Sequence, residues 1–331
     1  MDDPALPPFR CVLLGEQALL VECGERLLAA GHTIAAVVAD TPRLREWAEA
    51  RGLRVERSPE ALLASPPADL DWVFAVTWLK PLADEVLALG RRGALNFHDG
   101  PLPQYAGLNT PMWALLNGET RHGIRWHRMT TEIDAGRVLV ARDFAIDADE
   151  TAFSLNAKCF EAGLAGFDAL LERLASGDDA GEPQPEGARR VHLGADRPLR
   201  PALLDPSRPA AELARIVRAL DNGAYWQARL KPRLRLAEVD VLVAAAEPVE
   251  MTPSEITLPP ATLIGVDADG LRLRCGDGVL HLGGLARLDG TRLSADEALA
   301  LAGGAGVRLP AWALPGDDEA KALRRAVRHE A

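Results

Sequence analysis

The sequence predicts an α/β protein: a doubly wound, mostly parallel sheet followed by a small C-terminal β-barrel of OB-like character. Three observations predict it. Short, near-continuous apolar runs alternate with helical periodicities through the first half of the chain. A polar stretch rich in Gly and Pro, "GDDAGEPQPEGARR", then breaks the pattern. Beyond it, Asp-Gly and Gly-Asp turns recur between alternating apolar runs, as in a small closed sheet. At 331 residues the chain is long enough for two domains, each with its own core.

The elements follow in order. "RCVLLG" (10–15) reads as a first strand, and "EQALLVECGERLLAAGH" as a helix with Leu19, Leu20, Cys23, Leu27 and Leu28 on one face, stopped by Gly31. "TIAAVVA" (33–39) is the next strand. A helix at "LREWAEAR", a short strand at "RVER", a helix at "PEALLAS" and a strand at "DWVFAVT" (71–77) come after it. The segment "PLADEVLALG" leads to the strand "GALNF", and Thr110 is expected to cap a helix whose first position is Pro111. "HGIRWHRM" (122–129) and "GRVLVARDFAI" (136–146) read as later strands, and 150–177 as one long amphipathic helix. The resulting expectation is a first domain at 1–177, a linker at 178–199, a barrel domain at 200–310, and a charged helix or onward linker at 311–331.

Composition excludes several classes. No apolar run approaches the ~18–20 residues of a membrane helix, and "MDDPALPPFR" has no apolar core of a secretory signal. Cys11, Cys23, Cys159 and Cys275 lie far apart without a CxxC pair, which argues for a reducing, cytoplasmic setting and against a disulfide framework or zinc site. His122 and His127, five apart on one strand, point to opposite faces and make a poor metal pair. The first strand–turn, "LLGEQALL", has a single glycine where a dinucleotide fingerprint needs three. A net charge of −11 disfavours a protein whose main task is gripping nucleic acid.

The chemistry is concentrated in "GALNFHDGPLPQYAGLNTPMW". Ligands bind at the carboxyl edge of a parallel sheet, and residues i and i+2 of a strand share a side. Asn96 and His98 are therefore expected to project together where this strand ends, with Asp99 on the other parity. "TTEIDAGRVL" offers a carboxylate, Asp134, to orient the ring. An amide, an imidazole and a carboxylate without a Ser or Cys nucleophile suit an acyl transfer in which the substrate brings its own amine. Asn96 and His98 would serve the oxyanion, while Asp134 would hold His98, favour its charged form and help take the proton. The plainer reading is that Asn96 is a turn residue and His98 a satisfied loop histidine.

These motifs resemble the formyltransferase family that uses 10-formyltetrahydrofolate, in which Asn-x-His is followed by a Leu-Pro and Gly-containing loop and later by Asp-x-Gly. Here they are "NFHDGPLPQYAG" and "DAGRVL", and "PATLIGVDADGLRLRCGDGVLHLGGLARLDG" is similar to that family's C-terminal barrel. The resemblance implies the formyltransferase fold, catalytic roles for Asn96, His98 and Asp134, and no metal. It also implies a pterin pocket at "VTWLKPL" with Trp78 and Leu79, the backbone of Thr131, Glu132 and Ile133 reading the pterin edge. His127, on the same strand as Trp126, either faces the pocket or, as the favoured reading, is a partly exposed strand histidine. "HGIRWHRM", "RALDNGAYW" and the ending "DDEAKALRRAVRHEA" look like formyltransferase domains at the start of nonribosomal peptide synthetases. That likeness implies a phosphopantetheine-linked aminoacyl carrier protein as acceptor and downstream synthetase domains as partners. Methionyl-tRNA, a free amine such as an amino sugar or hydroxyornithine, and a non-catalytic folate-binding role are the competing readings. Residues 200–310 hold 13 basic and 14 acidic residues, an even balance that speaks against tRNA.

Overall fold

The structure, a computed structural model, describes residues 7–194, 196, 202–223, 231–268 and 270–310. Ala224 to Trp226 of "RALDNGAYW" and the helix expected over 311–331 lie outside the described residues. Contacts divide the chain into two units: 1–110 with 120–146 and 156–194, and 111–119 with 147–155 and 195–331.

The first unit begins with β1 (Arg10–Leu14), α1 (Leu19–Ala29), β2 (Thr33–Val38), α2 (Pro42–Ala50), β3 (Val55–Glu56), α3 (Pro59–Ala64), β4 (Trp72–Val76), α4 (Asp84–Leu87) and β5 (Gly93–His98). Next along the chain come β6 (Ala106–Gly107), α5 (Thr110–Asn117), β7 (Arg121–Arg128), β8 (Val138–Ala145), α6 (Ala152–Ala175) and β9 (Val191–His192), of which α5 beyond Thr110 and the first turn of α6 are counted with the second unit. Seven strands form one sheet in the order β3-β2-β1-β4-β5-β7-β8. The strands from β3 to β5 pair in parallel, and β7 and β8 add to the edge antiparallel. Both faces of this sheet are covered, which explains the unbroken apolar runs. Leu13, Phe74 and Phe97 pack into a core with Phe167 and Leu170 of α6. Their neighbours Val12, Leu14, Val73 and Ala94 face a second core with Leu62 and Val86.

Two local features hold the loops of this unit. The Thr110 hydroxyl, at the first residue of α5, donates to Asp99 O at 2.5 Å, with Asp99 Oδ1 at 3.1 Å. Within the stretch expected to be a linker, residues 178–194 pack in the first unit as a strap. Glu182 exchanges two backbone hydrogen bonds with Val138, each 2.7 Å, and β9 pairs with β6.

The second unit contains α7 (Ala210–Ala219), β10 (Arg233–Leu236), β11 (Val239–Leu242), β12 (Ala245–Val249), α8 (Pro253–Ile256), β13 (Thr262–Asp267), β14 (Gly270–Arg274), β15 (Val279–Gly283), β16 (Ala286–Arg287) and α9 (Ala295–Ala302). Among the described residues the strands form two sheets, β10-β11-β16 and β12-β15-β14-β13, rather than one closed ladder. Helix α9 carries its own start and stop: a Ser294/Glu297 capping box and Gly303 in the left-handed conformation. No described helix is long and apolar enough to cross a membrane, and Cys11, Cys23, Cys159 and Cys275 are buried and form no disulfide.

Candidate active site

Asn96 and His98 leave the same side of β5, as their parity requires, and both reach Asp134. One end of the Asn96 amide lies 3.4 Å from Asp134 Oδ1, and His98 Nδ1 lies 3.5 Å from Asp134 Oδ2. The ring of His98 is 4% exposed and the Asp134 side chain 11%, so their contact is little screened by water. His98 Nε2 donates to Tyr105 O at 2.5 Å; a carbonyl oxygen only accepts, so Nε2 carries a proton.

Asp134 is held from several directions. The Gly107 amide donates to its Oδ2 at 2.8 Å. Its backbone oxygen accepts from Gln184 Nε2 at 2.6 Å and from Arg189 Nη1 at 3.3 Å, both from the strap. Arg189 also donates to Ile133 O and pairs with Glu132 at 3.3 Å. The residue itself adopts φ +48, a left-handed conformation that Asp tolerates better than most residues. The glycine of Asp-x-Gly has a steric cause: a Cβ on Gly136 would lie 1.8 Å from Arg128 O. Gly107 combines φ +89 with a Cβ position 2.0 Å from His192 O, so no side chain fits where its amide meets Asp134. Burial by itself would raise the Asp134 carboxyl. The facing His98 and His127 rings and the Gly107 amide outweigh burial and hold it well below the usual carboxylate range.

The structure also corrects the placement of His127, which is 2% exposed rather than partly exposed. It stands directly across from Asn96 in the β5–β7 register. Its Nε2 lies 3.1 Å from the Asn96 amide and 3.3 Å from Asp134 Oδ1, while Nδ1 donates to Arg128 O at 2.8 Å. Four groups thus meet: an amide, two imidazoles and one carboxylate. His122 turns elsewhere, donating through Nε2 to Asp99 O at 2.8 Å, and burial lowers its basicity. Asp99 itself contributes that backbone oxygen, which also accepts from Thr110 Oγ1 and Cys159 Sγ.

The residues expected to line a pterin pocket stand in different settings. Trp78 follows the carboxyl end of β4, next to the end of β5, because Val76 pairs with Phe97. It is half-buried, and its Nε1 is buried without a hydrogen-bond partner. That orphaned donor fits a ligand bearing an acceptor. Leu79 and Ile133 are 45% and 41% exposed, large apolar side chains left open to a ligand, and Thr131 and Glu132 are exposed. Among the described residues, no group of three or more His, Cys, Asp or Glu is placed to hold a metal ion.

Comparisons with known proteins agree with this architecture. The formyl transferase family matches residues 22–170, and the formyl transferase C-terminal domain matches 201–302. The chain is 31% identical over 248 residues to a methionyl-tRNA formyltransferase of Janthinobacterium sp. (strain Marseille), covering 74% of this chain and 73% of that one. It is 30% identical over 313 residues to the methionyl-tRNA formyltransferase of Chromobacterium violaceum, covering 88% and 96%. Among solved structures, an N-formyltransferase from Helicobacter canadensis, in complex with folinic acid and dTDP-3-aminofucose, superposes with a TM-score of 0.65 at 14% identity, covering 85% of this chain and 100% of that one. HypX from Aquifex aeolicus, in complex with tetrahydrofolic acid, gives 0.62 at 20% identity; 88% of this chain matches 47% of HypX.

Proposed function

The chain belongs to the formyl transferase family, and from that premise we propose that it moves the formyl group of 10-formyltetrahydrofolate to the amine of an aminoacyl group. The observation that carries the reading is the junction at Asp134, where His98 and His127 face one carboxylate beside Asn96, with no Ser or Cys nucleophile among its described partners. A site without its own nucleophile suits direct attack by the acceptor amine. Folate as donor fits the orphaned Trp78 Nε1 beside the end of β5, and it brings an activated formyl carbon.

The chain's own groups then have distinct tasks. Asn96 supplies an N–H for the developing negative charge on the formyl oxygen. His98 adds a second donor by exchanging its Nε2 contact with Tyr105 O for that oxygen. Asp134 steadies the His98 ring through Nδ1 and, as a carboxylate, offers a place for the proton that the amine must lose. The four buried thiols, none of them in a disulfide, fit work in a reducing compartment such as the cytoplasm.

For the carrier of the aminoacyl group, the two methionyl-tRNA formyltransferase relatives support initiator tRNA, one of them along 96% of its length. An aminoacyl thioester on a carrier protein is favoured by one specific observation: the even balance of 13 basic and 14 acidic residues over 200–310. The deciding assay offers 10-formyltetrahydrofolate with methionyl initiator tRNA, an aminoacyl carrier protein, a dTDP-amino sugar or free amino acids. Mass spectrometry reads which acceptor gains the formyl group. Formylation of an aminoacyl acceptor is the expected result; formylation of only the amino sugar, or of none, would overturn the reading.

A further inference from the structure

Asp134 belongs to the loop 129–136 between β7 and β8, and Arg128 closes the base of that loop. Its amide donates to Arg137 O at 2.9 Å, tying the two ends together. Its carbonyl accepts from His127 Nδ1 at 2.8 Å, which orients the ring whose Nε2 lies 3.3 Å from Asp134 Oδ1. The same carbonyl lies against Gly136, where a Cβ would come within 1.8 Å. One peptide unit thus supports both the His127 ring and the turn that carries Asp134.

The Arg128 side chain is fastened at all three of its nitrogens. Nε donates to Asp179 O at 2.8 Å, Nη2 to Asp179 Oδ1 at 3.0 Å and Nη1 to Arg92 O at 2.8 Å. Asp179 Oδ2 accepts from Arg92 Nε at 3.1 Å and Nη2 at 2.8 Å, so one carboxylate holds two arginines. Both guanidinium groups lie over the Trp72 ring, their central carbons 4.8 and 5.4 Å from its centroid. Two cations over one ring repel each other, and the Asp179 carboxylate offsets that repulsion. Gly93 leaves them room: it has φ +121, and a Cβ there would lie 2.8 Å from Arg128 Nη1. Asp179 also begins the strap. The other end of the loop base holds the next residues, because Arg137 Nε donates to Ala180 O at 3.0 Å and Nη2 to Gly181 O at 2.7 Å. The strap then runs on to Gln184 and Arg189, which hold Asp134 O.

We propose that Arg128, gripped by Asp179, is a positioning residue for the junction: it locks the base of the 129–136 loop to the strap and so keeps the Asp134 carboxylate in front of His98 and His127. The clamp acts through the peptide on which His127 and Gly136 rest. Its consequence for turnover rests on the formyl-transfer reading; its hold on Asp134 does not.

The test reads Asp134 in the full chain without substrate, through the Gly107 amide that donates to its Oδ2. Hydrogen exchange is followed by NMR at Gly107 and, as the reference for opening of the whole fold, at the amides of β1. Arg128→Lys keeps a cation but loses the planar fork that reaches three oxygens at once. Asp179→Ala removes the carboxylate. In both variants Gly107 is expected to exchange roughly tenfold faster relative to β1, about the effect of one hydrogen bond lost locally. Unchanged relative exchange would overturn the proposal. So would an equal acceleration at Gly107 and β1, the mark of a general loss of stability. Should Asp179→Ala fail to fold, the milder Arg128→Lys decides. With the acceptor found by the formylation assay, kcat is expected to fall about tenfold while KM for 10-formyltetrahydrofolate stays within about twofold. A raised KM with kcat unchanged would overturn the assigned role. If no acceptor is formylated, the exchange measurement still decides, so failure of the clamp and failure of the formyl-transfer reading are told apart.

Discussion

Asp134 does three things at once: it faces two imidazoles, accepts a backbone amide and sits in a left-handed conformation. The two imidazoles and the amide hold the carboxylate in its ionised form. The sign of its linkage to stability follows. A carboxyl held below its unfolded value of about 3.9 contributes stability above that pH and loses it as pH falls through the folded value. Asp134→Asn is therefore expected to melt lower than the unmodified protein at pH 7, with the gap closing as pH drops below about 4. Thermal melting of both across pH checks this, and a gap constant with pH would mean that the charge of Asp134 is not what stabilises the loop. Asn96 belongs to the same scale. Removing an oxyanion donor typically costs about 2.7–4 kcal/mol of barrier, roughly 10²–10³ in rate. Asn96→Ala is expected to slow single-turnover formyl transfer by that factor while leaving folate binding within a few-fold, and an unchanged rate would make Asn96 a structural residue.

Among the elements, the strap over 178–192 gave the least warning in the sequence. Its Gly, Pro and charged residues read as a connector because polar, turn-rich composition describes loops in general, including those that are pinned. What pins this one is not composition but partners: Gln184 bonds Asp134 O and Gly136 O, Arg189 bonds the preceding carbonyls, and β9 pairs with β6. Gln184→Ala deletes two hydrogen bonds, each worth about 0.5–1.5 kcal/mol net. Its expected effect is a roughly tenfold slower single turnover, about 1.4 kcal/mol, with circular dichroism unchanged. An unaffected rate would show that the strap is dispensable to Asp134. The strands, by contrast, were legible, because a sheet covered on both faces writes itself as unbroken apolar runs. Asn96, His98 and Asp134 were legible as a pattern, since strand parity already puts the first two on one side. His127 was not: its neighbour across the sheet is fixed by the β5–β7 register, and register is a long-range pairing that no local spacing encodes.

At the scale of the whole molecule, charge bears most directly on the acceptor. A protein that grips tRNA gains most of its affinity by displacing counterions from phosphates, and with 6–10 such contacts it loses about 10³–10⁵ in affinity between 50 and 200 mM salt. This chain carries a net charge of −11 and no basic excess over 200–310. At long range a polyanion is therefore repelled, and tRNA would be held only by short-range contacts. Formylation of methionyl initiator tRNA is accordingly expected to show a shallow salt dependence, kcat/KM falling well under 10³-fold over that range. An acidic carrier protein would be repelled by the same net charge, so its kcat/KM is expected to rise or hold level as salt screens the repulsion. Measuring kcat/KM for both acceptors at several salt concentrations separates the two cases. A steep fall with tRNA would reveal a concentrated basic surface that the overall balance conceals, and would decide the acceptor in favour of the named relatives.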